Sequence, residues 1–150
     1  MKIVIFMCLV FLSAALFAQN PELSPEYLSG LGDKKSYKLV LKDNSIEHCE
    51  SFLEAYPKSK YKKKVNLLYD KLSYIAAYDK ATKTFELNEL TAYLEKFPNG
   101  IYKSKAEETI DIMSWQKAKA KNTSEAIQEY IDKFPQGRAV PLAKKLLEGL

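Results

Sequence analysis

Few residues in this chain have types and spacings that could do chemistry. His48 is the single histidine, beside Cys49 and flanked by Glu47 and Glu50. A Cys-His neighbour pair could supply a thiolate with its base, or two ligands for a metal. Adjacent residues on a helix do not face each other, so these two do not converge. Cys49 falls on an apolar face, and the expectation is a buried thiol beside a surface imidazole. A second group is acidic: Glu107, Glu108 and Asp111. Glu107 and Asp111 share a helical face, where paired carboxylates do acid–base work if an apolar cleft raises one pKa. Lys103 and Lys105 precede them, so the pattern reads as a solvated, salt-bridged face. No phosphate loop, nucleophile elbow or zinc motif occurs. The expectation is a protein with no catalytic residue, no metal ligand and no cofactor.

One dense charge cluster stands apart: Lys58, Lys60, Lys62, Lys63 and Lys64. Lysines at a helix start oppose the helix dipole, which leaves room for an anionic partner: an acidic protein surface, lipid head groups or an envelope polymer. A solvated surface that aids solubility is the plainer reading. Tyr61, lying among the lysines, could stack on a nucleic-acid base, but the pattern below makes it a packing residue.

The elements that must position these residues follow from an alignment on Pro57, Pro98 and Pro135. One residue before each proline stand Tyr56, Phe97 and Phe134; four before, Leu53, Leu94 and Ile131. Five before are Phe52, Tyr93 and Tyr130; eight before, Cys49, Leu90 and Ile127. Those offsets trace one face of an α-helix. Beyond the proline, the positions Ser59, Gly100, Gly137; Tyr61, Tyr102, Ala139; and Val65, Ala106, Ala143 begin a longer amphipathic helix whose apolar face runs on through Leu72, Met113 and Leu150. Upstream, Tyr37, Tyr78 and Trp115 align, as do Val40, Ala81 and Ala118. Three copies of a short helix, a proline turn and a long helix are thus expected. Helices are predicted near 34–42, 45–56, 60–82, 86–97, 101–120, 124–134 and 140–149, with no sheet. Proline ends each short helix because it lacks an N–H. Gly100 and Gly137 offer left-handed backbone at little cost, while Ser59 can cap the next helix and Ser45 and Thr123 cap short ones.

The Tyr/Phe-Pro-x-Ser/Gly-x-Tyr-x-x-x-Ala pattern at 56–65, 97–106 and, more loosely, 134–143 resembles tetratricopeptide-like repeats of bacterial envelope proteins, including outer-membrane assembly lipoproteins. The resemblance spans about residues 37–150. It implies an all-α fold of antiparallel helix hairpins stacked as a short right-handed α-solenoid, acting as a non-catalytic scaffold for another envelope protein. The sequence departs from that pattern in three ways. Its units exceed the usual 34 residues. Ser45, Glu86 and Thr123 replace the usual small residue, and the lipid-anchor cysteine of the assembly lipoproteins is missing.

Composition agrees with a single folded domain. The chain has 150 residues, 28% of them charged and 47% hydrophobic, with only five glycines and six prolines. A many-turned β fold is disfavoured by that scarcity. A net charge of +4 is mild, and no nucleic-acid partner is expected. Lys2, the apolar run at 3–12 and the small residues up to Ala18 form the layout of a signal peptide, 1–18, cleaved after Ala18 or Ala15. The run is shorter than the ~20 residues of a membrane span, so no stable span is expected after its removal. Its removal also takes Cys8 and leaves one cysteine, excluding an internal disulfide. Residues 19–33 read as a flexible leader with at most a short turn of helix, and 34–150 as the repeat domain. The protein is expected to be exported, periplasmic or secreted.

Overall fold

The structure, a computed structural model, describes residues 23–150. The segment read as a signal peptide, its expected cleavage sites and Cys8 lie outside the described residues. Among the described residues the fold is all-α: α1 (Pro25–Leu31), α2 (Asp33–Asp43), α3 (Ile46–Ala55), α4 (Lys62–Thr84), α5 (Asn88–Lys96), α6 (Lys103–Lys121), α7 (Ser124–Lys133) and α8 (Val140–Leu147). Seven of the eight helices match the expected ones to within two residues at each end. The chain divides into two compact units, the first ending at Tyr69 and the second spanning Asp70–Leu150.

In the first unit α1, α2 and α3 pack on one another. Helix α1 lies in the segment read as a leader. Ser24 accepts the Tyr27 N–H as N-cap and Pro25 opens the helix, both favourable at a helix start. Leu28 is fully buried, and its carbonyl accepts from Ser36 Oγ at 3.0 Å and from the Tyr56 hydroxyl. Helix α1 therefore contributes to the core through Leu28. Gly32 joins α1 to α2 with φ +81°, where an L-residue would be strained. Ser45 caps α3 through the His48 N–H, and Phe52 and Cys49 are buried beneath it.

In the second unit α5, α6, α7 and α8 pack in chain order. Leu90, Tyr93, Ala106, Ile110 and Met113 form one buried cluster, and Ile127, Tyr130, Val140 and Ala143 another. Phe134 packs against both. A fully buried leucine or isoleucine such as Leu90 or Ile127 stabilises by about 1.5–3 kcal/mol. Thr123 caps α7 through the Ala126 N–H, and Pro141 sits in the first turn of α8, where proline is tolerated.

The three proline turns share one backbone path. Tyr56, Phe97 and Phe134 have φ between −131° and −123° and ψ between 61° and 64°, outside the α region that a following proline disfavours. The N–H of Ser59, Gly100 or Gly137 then closes a turn on that residue's carbonyl at 2.8–3.1 Å.

Three expectations need correction. Tyr78 is 41% exposed. The ring in the place of Tyr37 is Tyr74: Tyr37 stacks on Tyr61 at 4.4 Å and Tyr74 on Tyr102 at 4.9 Å, each pair 9° from parallel. The middle segment carries four extra residues, one helical turn, downstream of Tyr74, so alignment from the proline backward slips there. Leu150 is 51% exposed because α8 ends at Leu147. Gly100 and Gly137 do not have positive φ; the reason for glycine there is space, as shown next.

Candidate functional site

The most organised polar arrangement is an aspartate that ties each proline turn to the preceding helix. Asp70, on α4 and 5% exposed, accepts the Tyr93 hydroxyl on Oδ1 at 2.5 Å and the Ile101 N–H on Oδ2 at 2.7 Å. Asp111, on α6, accepts the Tyr130 hydroxyl at 2.7 Å and the Arg138 N–H at 3.2 Å in the same way. Each carboxylate thus binds a backbone donor ahead of the next helix, where N–H groups lack helical partners. A β-carbon on Gly100 would lie 2.7 Å from the Tyr93 hydroxyl and 2.8 Å from Asp70 Oδ1; on Gly137 the matching distances are 2.6 and 2.7 Å. Glycine is required because the tyrosine hydroxyl and the carboxylate fill that volume. Burial, then the bond to Asp111, pushes the Tyr130 hydroxyl up to about 12, and burial with Asp70 pushes Tyr93 up further. Both hydroxyls are structural donors, held protonated.

In the first unit the chemistry is exchanged. Phe52 has no hydroxyl, and Ser59 replaces the glycine. Ser59 Oγ donates to Asp33 Oδ2 at 2.8 Å and accepts the Tyr61 N–H at 3.1 Å. Asp33 and Asp70 were not singled out from sequence, and Asp111 drew notice only as a neighbour of Glu107. Each stands four residues before Tyr37, Tyr74 or Trp115, a spacing that could have flagged them.

The residues considered for chemistry are separated by their partners. Cys49 is fully buried, and burial, followed by the charges of Glu50, Glu47 and Asp43, pushes its thiol up to about 12, so it stays protonated near neutral pH. His48 is less exposed than a surface imidazole: its side chain is 15% exposed and Nδ1 contacts the Asp43 carboxylate. Glu107 pairs with Lys103 at 3.8 Å, Glu108 with Arg138 at 2.6 Å, and Asp111 is committed to Tyr130. Among the described residues no group of three or more His, Cys, Asp or Glu is placed to hold a metal.

Lys58, Lys60, Lys62, Lys63 and Lys64 are all exposed. None forms a salt bridge among the described residues. Lys60 Nζ lies 5.3 Å from the Tyr61 ring centre, which itself is stacked on Tyr37 as a packing residue. Lys60, Lys62 and Lys63 border one shallow groove of about 420 Å³ with Asn66 and Leu67, while Lys58 borders a neighbouring one. No helix of the described residues is long and apolar enough to cross a membrane. No family model, no curated protein and no solved structure matches the chain.

Proposed function

We propose that this protein is a non-catalytic helical-repeat scaffold, exported to the cell envelope, that binds another envelope protein. The observation that carries the reading is the recurrence of the aspartate-anchored turn. Asp70 with Tyr93 and Ile101, and Asp111 with Tyr130 and Arg138, build consecutive helix pairs by one rule. Such pairs, stacked as a short right-handed solenoid of tetratricopeptide-like units, bury their own core layer by layer and leave side chains free for a partner. The buried side-chain polar atoms among the described residues all have partners, so the turns are internally satisfied. Ile101, Ile112 and Leu142 stay exposed, at 62%, 42% and 63%, and offer apolar contact area.

The test is affinity capture from envelope extracts, followed by reassembly from purified components. A stoichiometric complex that survives raised salt is expected, and His48→Ala with Cys49→Ser should leave it intact. Intact mass of the exported protein should give a chain starting at Gln19, or at Leu16 for the upstream cleavage. Failure to reassemble any protein complex would overturn the scaffold.

A second reading is favoured by the five exposed lysines at 58–64, none in a salt bridge among the described residues: binding of an anionic envelope polymer or lipid surface. Such binding would weaken steeply with salt, whereas apolar contact would not.

A further inference from the structure

The connections that lead into the short helices differ in one telling position. Thirteen residues before each proline the backbone is left-handed: Asn44 at φ 56°, Asn122 at φ 51° and Phe85 at φ 59°. Asparagine accepts this conformation readily at a helix C-terminus; a bulky residue does so only at a cost in backbone strain. Burial does not offset that cost, because Phe85 is 44% exposed. The next residue departs as well. Ser45 and Thr123 cap their helices, but Glu86 stands in the middle connection and α5 starts without a side-chain cap. Both devices that stabilise the other two connections are missing here.

Phe85 stands at the edge of a groove of about 360 Å³ within the second unit, formed by this connection, α6 and α7. Leu87, Tyr130 and Phe134 line its apolar part. Lys117, Lys121 and Lys133 border it, against one carboxylate, Glu129. Lys117 is partly engaged by Glu86 at 3.7 Å; Lys121 and Lys133 form no salt bridge among the described residues. A volume of this size takes one or two large side chains. The lysines select carboxylates beside them and oppose a basic segment.

Resting on the scaffold reading, we propose that this groove is the docking site for a peptide segment of the partner that carries an aromatic or leucine side chain flanked by acidic residues, with Phe85 as its exposed aromatic wall. Strain at an exposed aromatic is retained because the ring is used in binding.

The purified protein is titrated with a blocked peptide, acetyl-Glu-Asp-Phe-Glu-Leu-Asp-amide, and with its charge-reversed counterpart, acetyl-Lys-Lys-Phe-Lys-Leu-Lys-amide, while backbone amide resonances are followed. Saturable shifts at Phe85, Lys121 and Lys133 are expected with the acidic peptide only. Phe85→Asn should weaken that binding at least about tenfold while leaving the melting temperature equal or higher, because asparagine relieves the backbone. Lys121→Glu with Lys133→Glu should exchange the preference between the two peptides. The proposal is overturned by an absence of saturable shifts at millimolar peptide, by shifts confined to the lysines at 58–64, or by unchanged binding in Phe85→Asn. A lower melting temperature for Phe85→Asn would make Phe85 a packing residue and also overturn it. Self-association abolished by Phe85→Asn would assign the groove to a second copy of this chain instead. A partner complex that forms equally with wild type and Phe85→Asn leaves the scaffold standing and removes the groove. Peptide binding without any reassembled protein complex does the reverse.

Discussion

The turn at Pro57 and the turn at Pro98 follow the same backbone path, and both deliver a hydroxyl to an aspartate. They draw it from opposite ends of the turn. Around Pro98 it comes from Tyr93, on the helix before, and Gly100 must stay bare to admit it. Around Pro57 the helix offers Phe52, and Ser59 supplies the hydroxyl from the glycine's place. The pair Tyr with Gly and the pair Phe with Ser are therefore two solutions to one packing problem. Neither residue can be judged by itself: the glycine is explained by the tyrosine, and the serine by the phenylalanine. The two solutions also differ in burial. Asp70 is 5% exposed, whereas Asp33 is partly open to water.

That difference sets the largest expected effect. Asp70→Ala leaves the Tyr93 hydroxyl and the Ile101 N–H without an acceptor, at about 1–3 kcal/mol each, so a loss of about 3 kcal/mol is expected in urea unfolding. Asp33→Ala exposes its donors to solvent and should cost about 1 kcal/mol. Equal losses would mean that burial does not distinguish the two turns.

Next in size is the exchange itself. Gly100→Ser brings a β-carbon against the Tyr93 hydroxyl, Asp70 and Phe97, and overpacking of this kind costs about 1–3 kcal/mol. Adding Tyr93→Phe removes the hydroxyl and lets Asp70 turn toward the new serine, as Asp33 does toward Ser59. The double variant should recover at least about 1 kcal/mol relative to Gly100→Ser alone. Simple addition of the two single losses, measured by a double-mutant cycle, would show that the turns are not interchangeable.

Helix type and extent were legible because their signals are local. Pro57, Pro98 and Pro135 stop one helix each, Ser45 and Thr123 start one each, and Leu90 or Ile127 mark the inward face within a few residues of these stops. What escaped depended on distance or on a departure from propensity. Asp70 meets Tyr93 across 23 residues, and its recurring place four residues before an aromatic marks the position without naming the partner. Tyr78 falls in the aligned position in place of Tyr74 because the added helical turn breaks a count made backward from Pro98. Helix α1 was missed because Pro25, Gly30 and Gly32 suggest a loop by composition, although Ser24-Pro25 is a start signal. The groove beside Phe85 was invisible for a related reason: phenylalanine carries no preference for left-handed backbone, so only the fold reveals it there.

The smallest effect is a pH dependence carried by one kind of turn and absent from the other. Tyr130 is pushed up to about 12 by burial first and by its bond to Asp111 second, and Tyr93 moves in the same direction with Asp70. A raised folded-state pKa favours the folded chain in full below the ordinary tyrosine value of about 10. Above it, the unfolded chain ionises while the folded one resists, so this stabilisation declines as pH climbs from about 10 through about 12. The turn at Pro57 contributes nothing here, since Phe52 has no proton to lose. Of the ten tyrosines, these two should give a late phase in tyrosinate absorbance, coincident with loss of helix by circular dichroism. Tyr93→Phe with Gly100→Ser should shrink that phase. The reciprocal change, Phe52→Tyr with Ser59→Gly, should enlarge it by installing the second solution at Asp33. All tyrosines titrating together near their ordinary pKa, with the helices intact, would show that the hydroxyls at Asp70 and Asp111 are not held as described.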